Sequence, residues 1–429
     1  MTVQRCQSKF NNSLEVSNDG SSVSSLGGMD LVAEFAHKIG LEKIIDQNVD
    51  YEEYRKAPRY SFTVLTIQFI FRLIAGYSSD VATNILRTDP TWRLMFKDGV
   101  SSQATVSRYL NNFQRQLPAL NGLHQVSSDL ADQYFSRNPK SPMLLDVDST
   151  HFDTFGKQEG AEYNAHYEAD GFHPFVVFDP FSHLLIDIQF RPGSVYTSTE
   201  AAAFLEPVLA RYADRRVTLR ADSGFAVPAI YTALEAKNVP YVIRLKANSR
   251  LQDIAEKLCQ RAHVTPSAAF NQCFSTIYKA KSWDRPRRII IQIRQKEDEL
   301  FPRFGYFVTT FTGPADTVVA LYNQRGAMEN YIKEAKAGYF VDKTDSSLMA
   351  ANHARMILGA IAYNLVNLMR LLTFPRSERQ DLIQTIRLRF LHVAGVVVHH
   401  ARKYWLKLTS SNPFDRQFWQ IFKHIQALT

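Results

Sequence analysis

The feature that most constrains the fold of this chain is a series of short apolar segments between residues 143 and 248. Each segment is rich in β-branched residues and is bounded by Gly, Pro, Asp or Asn, which is typical of β-strands. The segments are MLLDVDST (143–150), HPFVVFDP (173–180), HLLIDIQFRPG (183–193), RVTLRADSG (216–224) and PYVIRLKAN (240–248). Helical patterns at 198–214 and 227–239 separate the last three. Three strands followed by helix, strand, helix and strand predict an α/β domain with a mixed sheet.

The residues on either side of this domain have different patterns. Residues 1–27 are rich in Ser, Asn and Gly and predict a flexible arm. Residues 28–140 carry apolar side chains at helical spacing and predict an all-helical module. We divide the remainder into the first part of the α/β core (141–250), an inserted β-subdomain (251–312), the second part of the core (313–374) and a basic C-terminal region (375–429).

The charge balance favours a polyanionic partner. Lys and Arg number 50 against 42 Asp and Glu, which gives a net charge of +8. The basic region from 376 onward holds nine Lys/Arg against three Asp/Glu.

Cysteine usage and hydropathy point to the cytoplasm. The three cysteines are too few and too scattered for a disulfide framework or a cysteine-rich zinc site. The N-terminal residues lack the apolar core of a secretory signal. The apolar run 62–76 contains Arg72 and is shorter than the ~20 residues that span a bilayer. We therefore expect a cytoplasmic protein without a membrane partner.

A short helical pattern in the N-terminal module is compatible with DNA contact. Residues 99–113 begin with small polar residues and place Val106, Tyr109 and Leu110 on one apolar face. Arg108 lies among the polar residues of the other faces. This pattern resembles the second helix of a helix-turn-helix, which presents polar and Arg side chains to bases and phosphates. An ordinary amphipathic surface helix explains it equally well.

Acidic residues stand at the ends of two predicted strands. Asp148 ends the first strand, and Asp222 ends the fourth. In open α/β sheets the carboxyl ends of the strands converge on the functional crevice. With Glu329 from a helix packed across the sheet, these carboxylates would form a site for Mg²⁺ or Mn²⁺. Because side chains alternate along a strand, Asp146 faces the same way as Asp148, and either residue could be the first ligand.

The stretch ALYNQRGAMENYIKEAKAGY, residues 320–339, predicts a helix with an unusual stripe. Tyr322, Arg325, Glu329 and Lys336 fall within about 60° of arc on one side of an α-helix. Packing alone does not require a phenol, a guanidinium, a carboxylate and an ammonium in one row.

These residues together resemble the bacterial insertion-sequence transposases of the DDE type. The stripe is similar to the family signature Y-x2-R-x3-E-x6-K, DST at 148–150 is similar to its first Asp motif, and ADSGF at 221–225 to its second. The three motifs occur in the family's order. The family often has Trp after the signature Arg, where this chain has Gly326.

The resemblance implies a catalytic domain with the ribonuclease H-like fold that cleaves DNA and transfers strands. It implies two divalent metal ions, Mg²⁺ or Mn²⁺, held by Asp148, Asp222 and Glu329. Tyr322, Arg325 and Lys336 would contact DNA phosphates. Trp283 could stack on an unpaired base, or it could pack in the core of the inserted β-subdomain.

The partners implied by the resemblance are double-stranded DNA, namely the terminal inverted repeats of the element and the target, and a second copy of the chain in a synaptic homodimer. A bacterial, nucleoid-associated location follows. Two alternatives remain. A glycosidase-like hydrolase could use Asp148 and Asp222 as acid and base, but it leaves the stripe unexplained. A DNA-binding regulator with a degenerate catalytic domain would place all function in the helical module.

Overall fold

A computed structural model describes residues 3–265 and 268–428 of the chain. The chain forms two compact units. The terminal unit contains the residues up to Asp46, Glu52–Tyr109 and the residues from Leu372 onward. The sheet unit contains Gln47–Tyr51 and Leu110–Leu371. The boundary before the sheet unit thus falls at residue 110, whereas the sequence patterns suggested residue 140.

The elements follow one another along the chain. The strands are β1 (Arg5–Gln7), β2 (Glu15–Ser17), β3 (Val23–Ser24), β4 (Met143–Ser149), β5 (Phe152–Asp153), β6 (Glu162–Asn164), β7 (Ala169–Phe172), β8 (Phe175–Asp179), β9 (Leu184–Gln189), β10 (Val217–Ala221), β11 (Tyr241–Leu245), β12 (Phe270–Tyr278), β13 (Arg287–Gln295), β14 (Arg303–Thr309), β15 (Gly395–His400) and β16 (Lys403–Leu408). The helices are α1 (Asp30–Lys38), α2 (Leu41–Asn48), α3 (Phe62–Ile74), α4 (Ala82–Leu86), α5 (Pro90–Met95), α6 (Gln103–Asn111), α7 (Leu117–Arg137), α8 (Ala201–Arg211), α9 (Pro228–Ala236), α10 (Ser249–Arg261), α11 (Ala315–Asn323), α12 (Met328–Tyr339), α13 (Met349–Thr373), α14 (Ile383–Ile386) and α15 (Asp415–Gln426).

An eight-stranded mixed sheet forms the centre of the sheet unit. Its strand order is β12-β13-β14-β11-β10-β4-β8-β9. The neighbours β4, β10 and β11 are parallel, and the other pairs are antiparallel. The predicted strands correspond to β4, β8, β9, β10 and β11, and the two predicted helices to α8 and α9. The predicted α/β class with a mixed sheet is therefore confirmed.

The two faces of the sheet bury different helices. Leu145, Leu219 and Ile243 point into a large apolar core that also contains side chains of α8 and α9. Because side chains alternate along a strand, Val242 faces the other way, into a smaller cluster that includes Val318 of α11. The polar residues at the ends of β4 and β10 share this second face.

The segment predicted as an inserted β-subdomain instead extends the main sheet. β14 pairs antiparallel with β11, β13 pairs with β14, and β12 forms the edge. Ile289, Ile291 and Ile293 of β13 are fully buried in the same large core as the central strands. The apolar side chains of β13 and β14 are therefore buried because these strands extend the main sheet and share its core. The segment also contains α10, which we did not predict.

The terminal unit contains mostly helices within residues 28–109 of the module predicted for 28–140, but it also includes strands. β16, β15 and β3 form a small antiparallel sheet. Residues 1–27, predicted as a flexible arm, contain the β1–β2 hairpin and contribute β3 to this sheet. The basic C-terminal region supplies β15, β16 and α15. We predicted no regular structure for either segment.

Among the residues that the structure describes, one helix, α13, is long and apolar enough to cross a membrane. However, 89% of its most apolar window is buried inside the protein, which is the behaviour of a core helix.

Candidate active site on the central sheet

The parallel register of two central strands sets two carboxylates side by side. Arg220 lies opposite Asp146, and Ala221 lies opposite Val147. Continuing this register by one residue places Asp222 beside Asp148 at the carboxyl ends of β10 and β4. Asp222 follows its strand directly and accepts a hydrogen bond from the Gly224 amide over 2.9 Å. The neighbouring strands thus bring together the two aspartates predicted from the sequence.

Asp146 is held in a separate, fully buried ion pair. Arg220 donates two hydrogen bonds of 2.6 Å to its carboxylate oxygens. The side chains are 0% and 1% exposed. Arg220 also donates to the Leu321 carbonyl oxygen, which ties β4 and β10 to α11. Asp146 therefore has a structural partner, and Asp148 is the aspartate of β4 that remains accessible at the strand end.

Asp148 is paired with Arg325. The guanidinium lies 2.9 Å from a carboxylate oxygen of Asp148 and also donates to the Val147 carbonyl over 2.9 Å. Burial raises the pKa of Asp148, Arg325 opposes the rise, and the nearby Asp222 charge adds to it. Two carboxylates held together in this way attract a cation, and in this arrangement Arg325 supplies one.

The helix predicted for 320–339 is interrupted. α11 ends at Asn323, a 3-10 turn covers Gln324–Ala327, and α12 begins at Met328. Gly326 lies in this turn, where the resembling family often has Trp. Because a 3-10 turn advances about 120° per residue rather than 100°, the stripe does not continue in one line across it.

The residues of the stripe have separate environments. Tyr322 is buried, and its ring packs against Phe307 with centroids 4.8 Å apart. Burial raises the pKa of its phenol. Lys336 is largely buried, and its ammonium donates to the His151 carbonyl over 2.6 Å. These contacts hold the helix segments against β14 and against the loop after β4.

Glu329 is not gathered with the two aspartates. Its side chain is 74% exposed and lies 3.8 Å from Lys333, one turn further along α12. Among the described residues, no three His, Cys, Asp or Glu side chains are grouped closely enough to hold a metal ion. The structure thus brings together two of the three predicted ligands, and Arg325 is the stripe residue that reaches them.

Two further predicted DNA contacts have different surroundings. Trp283 is only 6% exposed, and its ring lies edge-on to Tyr231 and Tyr278 in the large core. In this arrangement the apolar core covers the ring, which is the alternative of core packing, and base stacking on Trp283 stays a prediction. Arg108 lies exposed on α6, whose apolar residues Val106 and Tyr109 are buried as predicted.

Sequence reasoning missed a basic cleft beside the aspartates. It measures about 390 Å³ and is lined by Asp222, Arg325, Tyr322, Arg244 and Lys246, among others. Arg244 and Lys246 stand at the carboxyl end of β11, two residues apart, so their side chains lie on one face. The sequence signal that could have revealed this cleft is the spacing of Arg244 and Lys246 on either side of Leu245 in VIRLKAN.

Tyr167 is a second missed residue. It lies in the turn between β6 and β7, and its ring stacks on His151 with centroids 4.8 Å apart. Burial raises the pKa of its phenol, and the charges of Asp148 and Asp222 add to this effect. No sequence pattern linked Tyr167 to these aspartates, because the small sheet of β5, β6 and β7 brings it there.

Comparisons with known proteins identify one family. The family model described as "Transposase DDE domain group 1" matches residues 6–429. Among curated proteins, none matches the chain.

Solved structures give weaker likenesses. The piggyBac transposase in a synaptic complex with hairpin DNA is 10% identical, with a TM-score of 0.45 over 84% of this chain and 77% of that one. The Mos1 transposase paired-end complex with the left transposon end is 14% identical, with a TM-score of 0.18 over 50% of this chain and 68% of that one. The Mos1 mariner paired-end complex with Mn is 16% identical, with a TM-score of 0.18 over 48% and 65%.

Proposed function

Because the chain belongs to the family of group 1 transposase DDE domains and is a DNA transposase, we propose that Asp148 and Asp222 are the centre of its DNA-cleaving site. The observation that supports this most is the parallel register of β4 and β10, which sets the two carboxylates side by side at the strand ends. We place the ribonuclease H-like core in β9, β8, β4, β10 and β11. The substrate in this proposal is the terminal inverted repeat of an insertion sequence.

Asp148 and Asp222 fit a divalent cation. Both are carboxylates, the ligands that Mg²⁺ and Mn²⁺ prefer, and the Asp222 charge helps to raise the pKa of Asp148. Glu329 does not fit in the observed arrangement, because it is exposed and beside Lys333. We propose that it becomes the third ligand when DNA is bound. Asp148, Asp222 and Glu329 would then hold a pair of ions, whose chemistry would be to activate the attacking oxygen and stabilise the leaving oxygen of a phosphodiester.

The other residues of the site bind and orient the DNA backbone. Arg325 neutralises Asp148 in the chain without DNA, and its planar guanidinium suits a phosphate oxygen equally well. Arg244 and Lys246 give the cleft beside Asp222 a positive charge that attracts the strand flanking the scissile phosphate. Lys336 fixes the loop after β4 through the His151 carbonyl. Tyr322 lines the same cleft beside Arg325, and we propose that its phenol contacts a DNA phosphate there.

We also propose three further properties that the resemblance to insertion-sequence transposases implies. The protein pairs two element ends as a homodimer, α6 with Arg108 contacts DNA, and the protein acts on the bacterial nucleoid. Each of these needs a measurement of its own.

The test is cleavage of a labelled element end with Mg²⁺ or Mn²⁺ by the wild type and by Asp222→Asn and Glu329→Gln. We expect both variants to lose at least about 10³-fold in rate, which corresponds to ~4 kcal/mol of transition-state stabilisation. DNA binding by both should survive.

The matched control is Glu297→Gln, which removes an exposed carboxylate at the turn between β13 and β14 and should cut like the wild type. Normal cutting by Glu329→Gln together with inactive Asp222→Asn would limit the site to the two aspartates. A wild type that binds element ends but never cuts them would favour the regulator with a degenerate catalytic domain.

A further inference from the structure

A β-hairpin of the terminal unit carries an exposed band of cations and aromatic rings. β15 and β16 pair in register from Gly395 with Leu408 to His400 with Lys403. The surrounding residues 382–414 contain five Lys/Arg, namely Arg387, Arg389, Arg402, Lys403 and Lys407, and no Asp or Glu. The last three cations of this set are exposed, and within the described part of the chain none of them forms an ion pair.

The turn of this hairpin projects an arginine from a strained backbone. Ala401 and Arg402 connect the two strands alone, and both have positive φ, 49° and 63°. Two-residue hairpin turns of this kind favour Asn and Gly, because a Cβ makes the left-handed region unfavourable. The tip therefore bears strain in a turn that presents a long basic side chain.

The two faces of β16 differ. Leu406 and Leu408 alternate with Lys403, Trp405 and Lys407, so the leucines share one face and the other three residues share the opposite one. Leu408 packs toward Gly27, where an added Cβ would lie 2.7 Å from its methyl group. Trp405 is 55% exposed between the two lysines. Aromatic residues are enriched in binding interfaces relative to the rest of a protein surface.

The charge of this face identifies its occupant. A hairpin whose own residues, 395–408, include Arg402, Lys403 and Lys407 and no carboxylate complements a polyanion, and the major groove of DNA admits a two-stranded β-ribbon. Lys403 and Lys407 are four residues apart, or about 13 Å along the strand, close to the ~12 Å width of that groove. β16 is also an edge strand, since it pairs only with β15 in this sheet.

We propose that the β15–β16 hairpin binds the backbone of duplex DNA, with Arg402, Lys403 and Lys407 on phosphates and Trp405 packed against the sugars between them. The proposal rests on the proposed function, since it assigns the transposase a DNA contact outside the cleavage site. It makes the hairpin a sequence-independent anchor for the element end or the target.

The first experiment measures DNA binding by the full chain with all three cations replaced, Arg402→Ala, Lys403→Ala and Lys407→Ala. Fluorescence anisotropy with a labelled random-sequence duplex is recorded across a KCl series. We expect at least about tenfold weaker binding near physiological salt, and a salt slope reduced by about 2.7, because each lost phosphate contact contributes ~0.9. Thermal unfolding should match the wild type.

A matched control separates this surface from net charge. Lys257→Ala, Arg261→Ala and Lys296→Ala remove three exposed cations from the sheet unit, and this variant should keep the wild-type slope. An equal loss in both variants, or no change in the hairpin variant, overturns the proposal. So does a hairpin variant that binds DNA normally but changes its oligomeric state, because the hairpin would then contact protein.

Trp405 provides an independent measurement. Trp405→Ala should weaken binding several-fold with an unchanged salt slope, and Trp405→Phe should restore most of the affinity. Unchanged affinity in Trp405→Ala would contradict its place at the interface.

Cleavage assays distinguish failure of the hairpin proposal from failure of the proposed cleavage site. At low salt the hairpin variant should bind and cut, whereas Asp222→Asn should bind like the wild type across the KCl series and never cut. A wild type that binds through the hairpin but does not cut would overturn the proposed function alone.

Discussion

Strand β4 carries two Asp–Arg pairs only two residues apart, and they differ in almost every physical respect. Asp146 and Arg220 share two hydrogen bonds of 2.6 Å and are essentially unexposed. Asp148 and Arg325 share one contact of 2.9 Å, with side chains 21% and 14% exposed. The same two residue types on the same sheet face thus form a structural pair inside the sheet and an accessible pair at its end.

The difference shows how position along a strand decides between stability and chemistry. Arg220 lies on the neighbouring strand β10, so the sheet itself fixes its distance to Asp146. Arg325 lies in a 3-10 turn between two helices, so strand pairing does not fix its distance to Asp148. We therefore expect Asp148, rather than Asp146, to exchange its arginine for a metal ion.

Replacing each aspartate by asparagine should give the largest effects, on the cleavage rate for Asp148 and on the stability for Asp146. Asp148→Asn should reduce the rate of strand cleavage at least about 10³-fold, or ~4 kcal/mol, and leave the fold intact. Asp146→Asn should lower the free energy of unfolding by about 3–5 kcal/mol, because Arg220 stays buried without a counter-charge. Cleavage assays and urea denaturation measure the two effects.

The double variant Asp146→Leu with Arg220→Met is the control for the buried pair, and it should regain much of the lost stability, since replacing both charges removes the uncompensated one. If Asp146→Asn were stable but inactive and Asp148→Asn active, the roles of the two aspartates would be reversed.

Changes at Arg325 should have intermediate effects. Arg325→Ala should slow cleavage by about 10- to 100-fold, or ~1.4–2.7 kcal/mol, because the scissile phosphate loses a cation. Arg325→Lys should recover part of the rate, since an ammonium cannot reproduce the two contacts to Asp148 and the Val147 carbonyl. A rate for Arg325→Ala equal to that of the wild type would show that Arg325 only balances the charge of Asp148.

The smallest expected effect is a pH dependence of stability. Burial raises the pKa of Asp148 above its ordinary value of 3.8. A carboxyl whose pKa is raised by folding favours the folded state while protonated, and this contribution is lost as the pH rises from 3.8 through the raised pKa. Asp148→Asn lacks this loss, so it should be slightly more stable than the wild type at pH 7, and the difference should shrink toward pH 3.5.

Thermal unfolding of the wild type and Asp148→Asn between pH 3.5 and pH 7 tests this. If the stability advantage of Asp148→Asn over the wild type grew toward acid pH instead, the effect of Arg325 would outweigh that of burial and the pKa of Asp148 would be lowered.

The sequence predicted the central fold closely. All five strands from β4 to β11 in the main sheet, and the helices α8 and α9, lie within the predicted ranges. β-branched runs bounded by turn residues carry this information locally. The arrangement of segment 251–312 was harder to predict. The β-strand character of β12, β13 and β14 does not reveal whether these strands pair only with each other or also with β11.

The candidate site was predictable only in part. The positions of Asp148 and Asp222 at strand ends could be read from the pattern, but the choice between Asp146 and Asp148 depended on Arg220 of another strand. The helical stripe assumed a continuous helix, whereas the 3-10 turn at Gly326 separates its members. For Trp283 the sequence left base stacking and core packing open, because the rings that cover it come from α9 and β12.

By itself, the sequence determined the mixed α/β class, the strand-end aspartates, the basic C-terminal region and the family resemblance, since all of these depend on residue type and local spacing. Only the tertiary structure decided which aspartate is paired inside the sheet, which cation reaches the other, and that the basic region forms a hairpin with an exposed Lys–Trp–Lys face. These outcomes depend on strand register and on contacts between residues more than 70 positions apart, and local sequence patterns carry no record of such contacts.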